Sequence, residues 1–531
     1  MTRALPYAIA LAARALPFFF GFEHYGDAPV RIEVAERWAL APHLWRGFAE
    51  AYQYGPLHLS LIGWALRILP DRFVAPRLLS LVCGLACIWL LWRITERIAG
   101  EAAALVATCA LALSPLHIQV STTGASEAVF LALFLGCLET LLAGGVVVPA
   151  LLLGAAGLVR YDGWLYVPLI SALFWRERGT LRTALFAAVA AAPALFWLWV
   201  NWKFTGDALA PIHHINRDHQ QLAEMGVRFF GQARYRLYCL VYWPIAISGI
   251  ATPVVGVAAI AGAWRTLSKR ADAWRALWTG SASRTAPAPS ADPGRGGSGL
   301  RSCMRSDAWR IAALAWIPAA YFTFRAAVLA DFRPLSRFAL VAATLSLPFA
   351  WGAFESPRDA PQDSPRRWPR PRVARAALVL GAVVLVATPV TLAALSWNRD
   401  GALAEWARPL SPISSLPPGV AQAARWLRAN VRDDDTILLD GVWDYLDVPL
   451  AFAVNLPDER WARLSWTDDF EQRLLRHKPT VAVLFYQGNL RRDPRAAHAT
   501  EDSDRFTFNG DAFCLQARFI YASTYRRCGL R

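Results

Sequence analysis

Asp27 stands in Gly26-Asp27-Ala28-Pro29, just behind a first apolar stretch. Two further runs of reactive residue types follow it, Tyr54-Gly55-Pro56-Leu57-His58 and Arg160-Tyr161-Asp162-Gly163-Trp164. A carboxylate takes up a proton, and a guanidinium offers a planar fork of donors that matches phosphate. An acid at the outer end of a first membrane helix therefore suits base chemistry on a lipid-borne substrate. The same position has a plainer use. A carboxylate just ahead of Pro29 is a helix cap, and capping and base chemistry can coexist in one side chain. The stretch 23–72 also carries Glu23, Glu33, Glu36, Glu50 and Asp71. Within it, Ile32, Ala35, Trp38 and Ala39 recur at helical spacing over 29–40, which predicts a helix lying flat in the membrane interface.

The elements that hold these residues follow from composition. Of 531 residues, 55% are hydrophobic and 18% charged. Crossing the hydrocarbon core takes roughly 20 helical residues, and 183–202, 238–264 and 376–398 all qualify. The 24 Trp and 14 Tyr suit interfacial belts. Apolar segments fall at 4–22, 73–92, 102–116, 126–143, 145–159, 163–175, 183–202, 238–264, 309–330, 335–354 and 374–397, about eleven spans of a polytopic α-helical membrane protein. Short basic loops lie on one side if the N-terminus is cytoplasmic: Arg93 and Arg97; Arg176, Arg178 and Arg182; Lys269 and Arg270; Arg366, Arg367, Arg370 and Arg372. The 203–237 loop, also basic, falls outside. The net charge of +15 resides largely in such loops and linkers, which argues against a nucleic-acid partner. No small-residue cleavage site follows the first apolar run, so it reads as a retained helix rather than a secretory signal.

Two linkers, 279–307, rich in Ser, Ala, Pro and Gly with scattered Arg, and 355–373, rich in Pro and Arg, read as disordered and cytoplasmic. They belong to a membrane domain over 1–397. From 398 to 531 the composition changes. Pro417-Pro418 opens an amphipathic run to Asn430, Thr436 to Asp440 and Thr480 to Tyr486 read as strands, and Thr467-Asp468-Asp469 as a capped helix start. The tail is therefore a small α/β domain, outside the membrane on an odd span count. Cys514 and Cys528 lie in it and can pair if that side is oxidising; Cys83, Cys87, Cys109 and Cys137 sit in apolar spans as small hydrophobes.

The first helix with an Asp at its outer end, Tyr54-Gly55-Pro56-Leu57-His58, Arg77-Leu78-Leu79-Ser80-Leu81, Leu113-Ser114-Pro115-Leu116-His117, Glu127 and Arg160-Tyr161-Asp162-Gly163-Trp164 occur in this order. Together they resemble the polytopic glycosyltransferases of the C-type fold, in particular the family 39 protein mannosyltransferases and lipid A aminoarabinose transferases. The likeness is strongest over 4–175, and for the tail it rests on architecture. It implies a polyprenyl-phosphate sugar donor, an acceptor hydroxyl on a protein, lipid or glycan, and inverting transfer on the outer membrane face. The resemblance also implies a multi-pass protein of a prokaryotic plasma membrane, with the N-terminus cytoplasmic and the tail outside. By resemblance Asp27 is the general base. Many relatives carry a second acid directly after it, whereas this chain has Ala28; Glu127 matches the position where relatives often place one.

By the same resemblance, donor binding falls to Arg160 and Arg337, with Tyr161, Asp162, Tyr54 and His58 beside them. Arg337 lies in Asp331-Phe332-Arg333-Pro334-Leu335-Ser336-Arg337-Phe338, like the late Arg-Phe before a span in this family. The residues alone leave other uses open. Glu127 is also a charge favoured by a helix N-terminus, and each arginine suits a snorkelling anchor. His213, His214 and His219, with Asp207 and Asp218, are weak candidates for a divalent metal ion; they read better as solvated loop histidines. The rival class is a transporter or flippase of a lipid-linked or small polar substrate, which calls for an internal repeat and midplane charges that the sequence does not display.

Overall fold

The computed structural model describes residues 3–21, 27–42, 54–251, 253–278, 298–351 and most of 416–529. The expected span at 374–397, the linker 355–373, most of the linker 279–307 and the helix start at Thr467 lie outside the described residues. The last residues of that first linker are helical, because α14 already begins at Ser298.

Helix α1 (Leu5–Phe20) leads to Asp27 and α2 (Ala28–Leu40). Next come α3 (Pro56–Ile68), α4 (Val74–Ala99), α5 (Glu101–Leu113), α6 (Pro115–Val120), α7 (Glu127–Leu142) and α8 (Val147–Val159). A short 3-10 turn, Tyr161–Leu165, links α8 to α9 (Tyr166–Arg178), which α10 (Thr180–Thr205) follows. Their shared core is apolar on all sides, with Leu91, Phe134, Leu138 and Leu153 fully buried. Two of the sequence motifs act here. Arg77, wholly buried, donates to the carbonyls of Phe18 and Gly21, each at 2.8 Å, and so satisfies the open end of α1. Ser114 caps α6, and His117 Nδ1 lies 2.6 Å from the Arg14 guanidinium buried in α1.

Among the described residues three helices are long and apolar enough to cross a membrane alone, Val74–Ala99, Thr180–Thr205 and Asp307–Leu329, and several shorter apolar helices accompany them. The stretch 238–264, expected as one span, is two helices. It is divided between α12 (Gln232–Ala251) and α13 (Pro253–Trp278), which pack side by side so closely that a Cβ on Gly256 would meet Ser248 Cα at 2.4 Å. Pro253 has no backbone N–H with which to continue the first helix. The expected loop 203–237 is largely helix α11 (Ala210–Phe230). After α14 (Ser298–Phe324) and a π-turn, Arg325–Leu329, α15 (Ser336–Ser346) completes the described membrane part.

The tail folds as expected into an α/β domain. It holds α16 (Pro418–Asn430), β1 (Ile437–Leu439), α17 (Asp447–Val454), β2 (Trp461–Arg463), β3 (Val481–Phe485), β4 (Ala496–Ala497), β5 (Arg505–Phe508), β6 (Asp511–Arg518) and β7 (Ala522–Arg527). They form one seven-stranded sheet in the order β2-β1-β3-β7-β6-β5-β4, parallel through β2-β1-β3 and antiparallel beyond. Cys514 and Cys528 form a disulfide. Helix α2 does not leave an apolar face uncovered by protein. Val30, Ile32, Glu33 and Val34 are all buried, because α3 covers one side and α17 of the tail another.

Candidate active site

Asp27 is the residue before α2, yet its side chain makes no capping hydrogen bond. It turns instead to cations: Arg337 Nη1 donates to Asp27 Oδ2 at 3.3 Å, and Arg31 Nη2 stands 3.9 Å from the same oxygen. Arg31 is one helical turn along α2 and Arg337 is in the first turn of α15, so the acid is held between two elements far apart in sequence. Burial would raise the Asp27 pKa, but the charges of Arg337, Arg31 and Arg160 outweigh it and hold the carboxyl below its ordinary value.

Arg160 occupies the extended residue between α8 and the 3-10 turn. Its Nη1 donates to Glu127 Oε1 at 2.6 Å and its Nε to Asp162 Oδ1 at 3.1 Å. Tyr161 donates its hydroxyl to the Tyr54 carbonyl at 2.9 Å and accepts from Trp197 Nε1 at 2.9 Å. Gly55 permits that approach, since a Cβ there would lie 2.2 Å from the Val159 carbonyl oxygen. The Arg31 guanidinium covers the Tyr54 ring at 4.3 Å.

These residues face one cavity of about 870 Å³. Its wall includes Asp27, Arg31, Tyr54, Arg160, Tyr161, Asp162 and Arg337, joined by Arg325, Arg333, Asn216, Asp218 and His219, with Phe322, Phe332 and Phe338 as apolar surface. Asp27 keeps 22% of its side chain exposed, enough to meet a substrate. Glu127 keeps 6%, lies off the wall and touches the cavity only through Arg160. His58, expected beside the donor, is not on the wall but fully buried, with neither ring nitrogen in a hydrogen bond of normal geometry. Burial, with Arg31 and Arg160 nearby, pushes its pKa well down, so it is a neutral core imidazole.

The three loop histidines do not converge. His213 pairs with Asp207 at 2.8 Å and His214 with Asp218 at 3.3 Å, both near the surface. His219 is no solvated residue: it is 5% exposed and stacked on Phe332 at 4.3 Å, and burial together with Arg337 and Arg325 lowers its pKa to about 4. Among the described residues no group of three or more His, Cys, Asp or Glu is gathered as metal ligands. Sequence reasoning missed Arg31, Arg325 and Arg333. The first had a signal, the i,i+4 spacing from Asp27 along a helix; the others had none beyond charge.

Residues 53–202, from just before α3 through most of α10, match the family model of the dolichyl-phosphate-mannose-protein mannosyltransferases. The chain resembles the family 39-like C-type glycosyltransferases in sequence and in fold. The structure is similar to that of ArnT from Cupriavidus metallidurans bound to undecaprenyl phosphate, with a TM-score of 0.59, 14% identity, and 98% of this chain and 97% of that one covered. The apo state of the same protein gives a TM-score of 0.57 at 13% identity, over the same shares of both chains. The Archaeoglobus fulgidus oligosaccharyltransferase in complex with Zn and sulfate is more distant, with a TM-score of 0.45 at 14% identity, covering 91% of this chain and 68% of that one. No curated protein matches the chain in sequence.

Proposed function

We propose that the protein transfers a sugar from a polyprenyl-phosphate donor to an acceptor hydroxyl, with inversion, on the outer face of a prokaryotic plasma membrane. The observation that carries this reading is the Asp27 carboxylate set against Arg31, Arg160 and Arg337 in a single cavity. The family match over 53–202 and the fold shared with a protein that binds undecaprenyl phosphate support the lipid-linked donor. Asp27 takes the proton of the acceptor hydroxyl, whose oxygen bonds to the anomeric carbon as the bond to the donor phosphate breaks. The lipid phosphate departs with its charge balanced by arginine, so no second carboxyl need protonate it.

A carboxylate tied to arginine is a weak base. Donor phosphate competes for Arg337, which binds phosphate with the same fork that it offers Asp27. As that arginine turns to the phosphate, the basicity of Asp27 rises, so the donor binds before the proton moves. Glu127, off the cavity wall, holds Arg160 from behind, and Asp162 holds it from within the wall. Purified protein given a radiolabelled polyprenyl-phosphate sugar and candidate acceptors tests the reading. Label moving to an acceptor, and lost in Asp27→Asn, supports it; hydrolysis alone, or transfer unaffected by Asp27→Asn, overturns it.

A further inference from the structure

Arg463 ends strand β2 of the tail, yet its guanidinium reaches into the membrane domain. Both of its terminal nitrogens meet the Glu33 carboxylate of α2, Nη2 on Oε1 and Nη1 at 3.3 Å from Oε2. The pair is dry, with 5% of the Arg463 side chain and 7% of the Glu33 side chain exposed. Arg37 adds a second cation to Glu33 at 3.0 Å. Around this pair Val30, Ile32 and Trp38 of α2 form one apolar cluster with Val448 and Phe452 of α17. Arg72 covers the Phe452 ring at 4.7 Å and holds Glu36 of α2 at 2.6 Å. On its other side α2 presses Trp38 onto α3 so tightly that a Cβ on Gly63 would sit 2.3 Å from the indole.

Helix α2 thus rests between α3 and the tail domain, and Asp27 is the residue immediately before its first turn. Arg31 moves with it. Their counterparts, Arg337 and Arg160, stand on other elements, so a small shift of α2 changes the geometry between base and cations. We propose that the buried Glu33–Arg463 pair is a positioning element that fixes Asp27 in the cavity, which makes the tail domain part of the catalytic apparatus without touching substrate. The kinetic part of this inference rests on the transferase reading; the structural part does not.

Hydrogen–deuterium exchange and kinetics on the purified full-length chain test it. Arg463→Gln should raise exchange over 28–40 while 481–485 and 505–527 stay protected. It should also lower kcat by about tenfold or more, since misplacement of a catalytic group by an ångström costs that much, with donor KM moving less than about threefold. Arg463→Lys keeps the charge without the fork and should recover part of both effects. Glu33→Gln combined with Arg463→Gln removes both buried charges. Stability should return towards wild type because neither member of the pair is left buried without the other, while kcat stays low. Unchanged exchange over 28–40 in Arg463→Gln, or a kcat loss that follows the folded fraction in every variant, would overturn the proposal. A wild-type chain that transferred no sugar would sink the transferase reading, and the exchange data alone would then uphold or reject the clamp.

Discussion

Asp27 could have been read as a cap or as a base, and its contacts separate the two: the carboxylate leaves the α2 N–H groups and faces Arg337 and Arg31. Asp27→Asn should abolish transfer, at least about a hundredfold down, because an amide cannot accept a proton at neutral pH. It should also bind a non-transferable polyprenyl phosphate at least as tightly as wild type, since the competitor for Arg337 has lost its charge; weaker binding in a lipid-phosphate titration would refute the competition. Arg337→Ala should raise donor KM by about ten- to a hundredfold, the loss of one shielded charge-assisted bond, with Lys a partial rescue. Arg160→Ala should differ. It strands Glu127 in the interior, so thermal stability falls, and Glu127→Gln added to it restores stability but not donor affinity. Asp27, Tyr54, Arg160 and Arg337 were legible because their residue types sit in short ordered motifs. Burial is not written in a motif: His58, expected beside the donor, is sealed in the core, and His219, expected as a solvated loop residue, is closed.

At the scale of elements, proline and apolar runs were the readable signals. Pro418 starts α16, and the buried strands β1 and β3 fall inside their expected ranges. Strands β5 and β6 escaped because β6 alternates little and is mostly half-exposed. The Asn509-Gly510 turn between them, both residues at positive φ, was an available hairpin signal. The domain's chemistry yields a pH prediction. Burial raises Asp440 and Asp447 each to about 7, although backbone N–H groups of Leu490 and Phe485 oppose it at Asp440 and Arg463 opposes it at Asp447. Asp447 feels Arg463 of its own domain and Glu33 across the domain contact, with Arg37 behind Glu33. A carboxyl whose folded pKa exceeds its unfolded one binds its proton more tightly when folded. The stability this provides is present below about pH 4 and is lost as pH rises through about 7. Tail stability followed by exchange over 437–485 should therefore fall between about pH 4 and 7 and level off above, and Asp447→Asn should flatten the slope; a slope unchanged in Asp447→Asn would assign the effect to other groups.

Across the whole molecule, the contact between α2 and the tail limits how the chain can thread a membrane. Arg463 and Glu33 touch, so the first loop and the tail lie on one side, and the chain between them crosses an even number of times. Eleven spans with the N-terminus inside satisfy this, since ten follow the first. Splitting 238–264 into α12 and α13 adds a helix without adding a certain crossing: only Val254–Ser268 of α13 is apolar, shorter than the roughly 20 residues a crossing takes. That break was invisible to a hydropathy window because Pro253 interrupts the backbone and not the apolar run. A reporter active only outside the cytoplasm, inserted in turn between α2 and α3, in the 279–297 stretch and after residue 400, resolves the threading. The first and third positions should be active and the second silent. Opposite signals at the first and third would break the domain contact itself, and with it the clamp on α2. If all three signals were inverted, the contact would stand, but Asp27 would lie on the cytoplasmic face and the proposed outer-face transfer would fall.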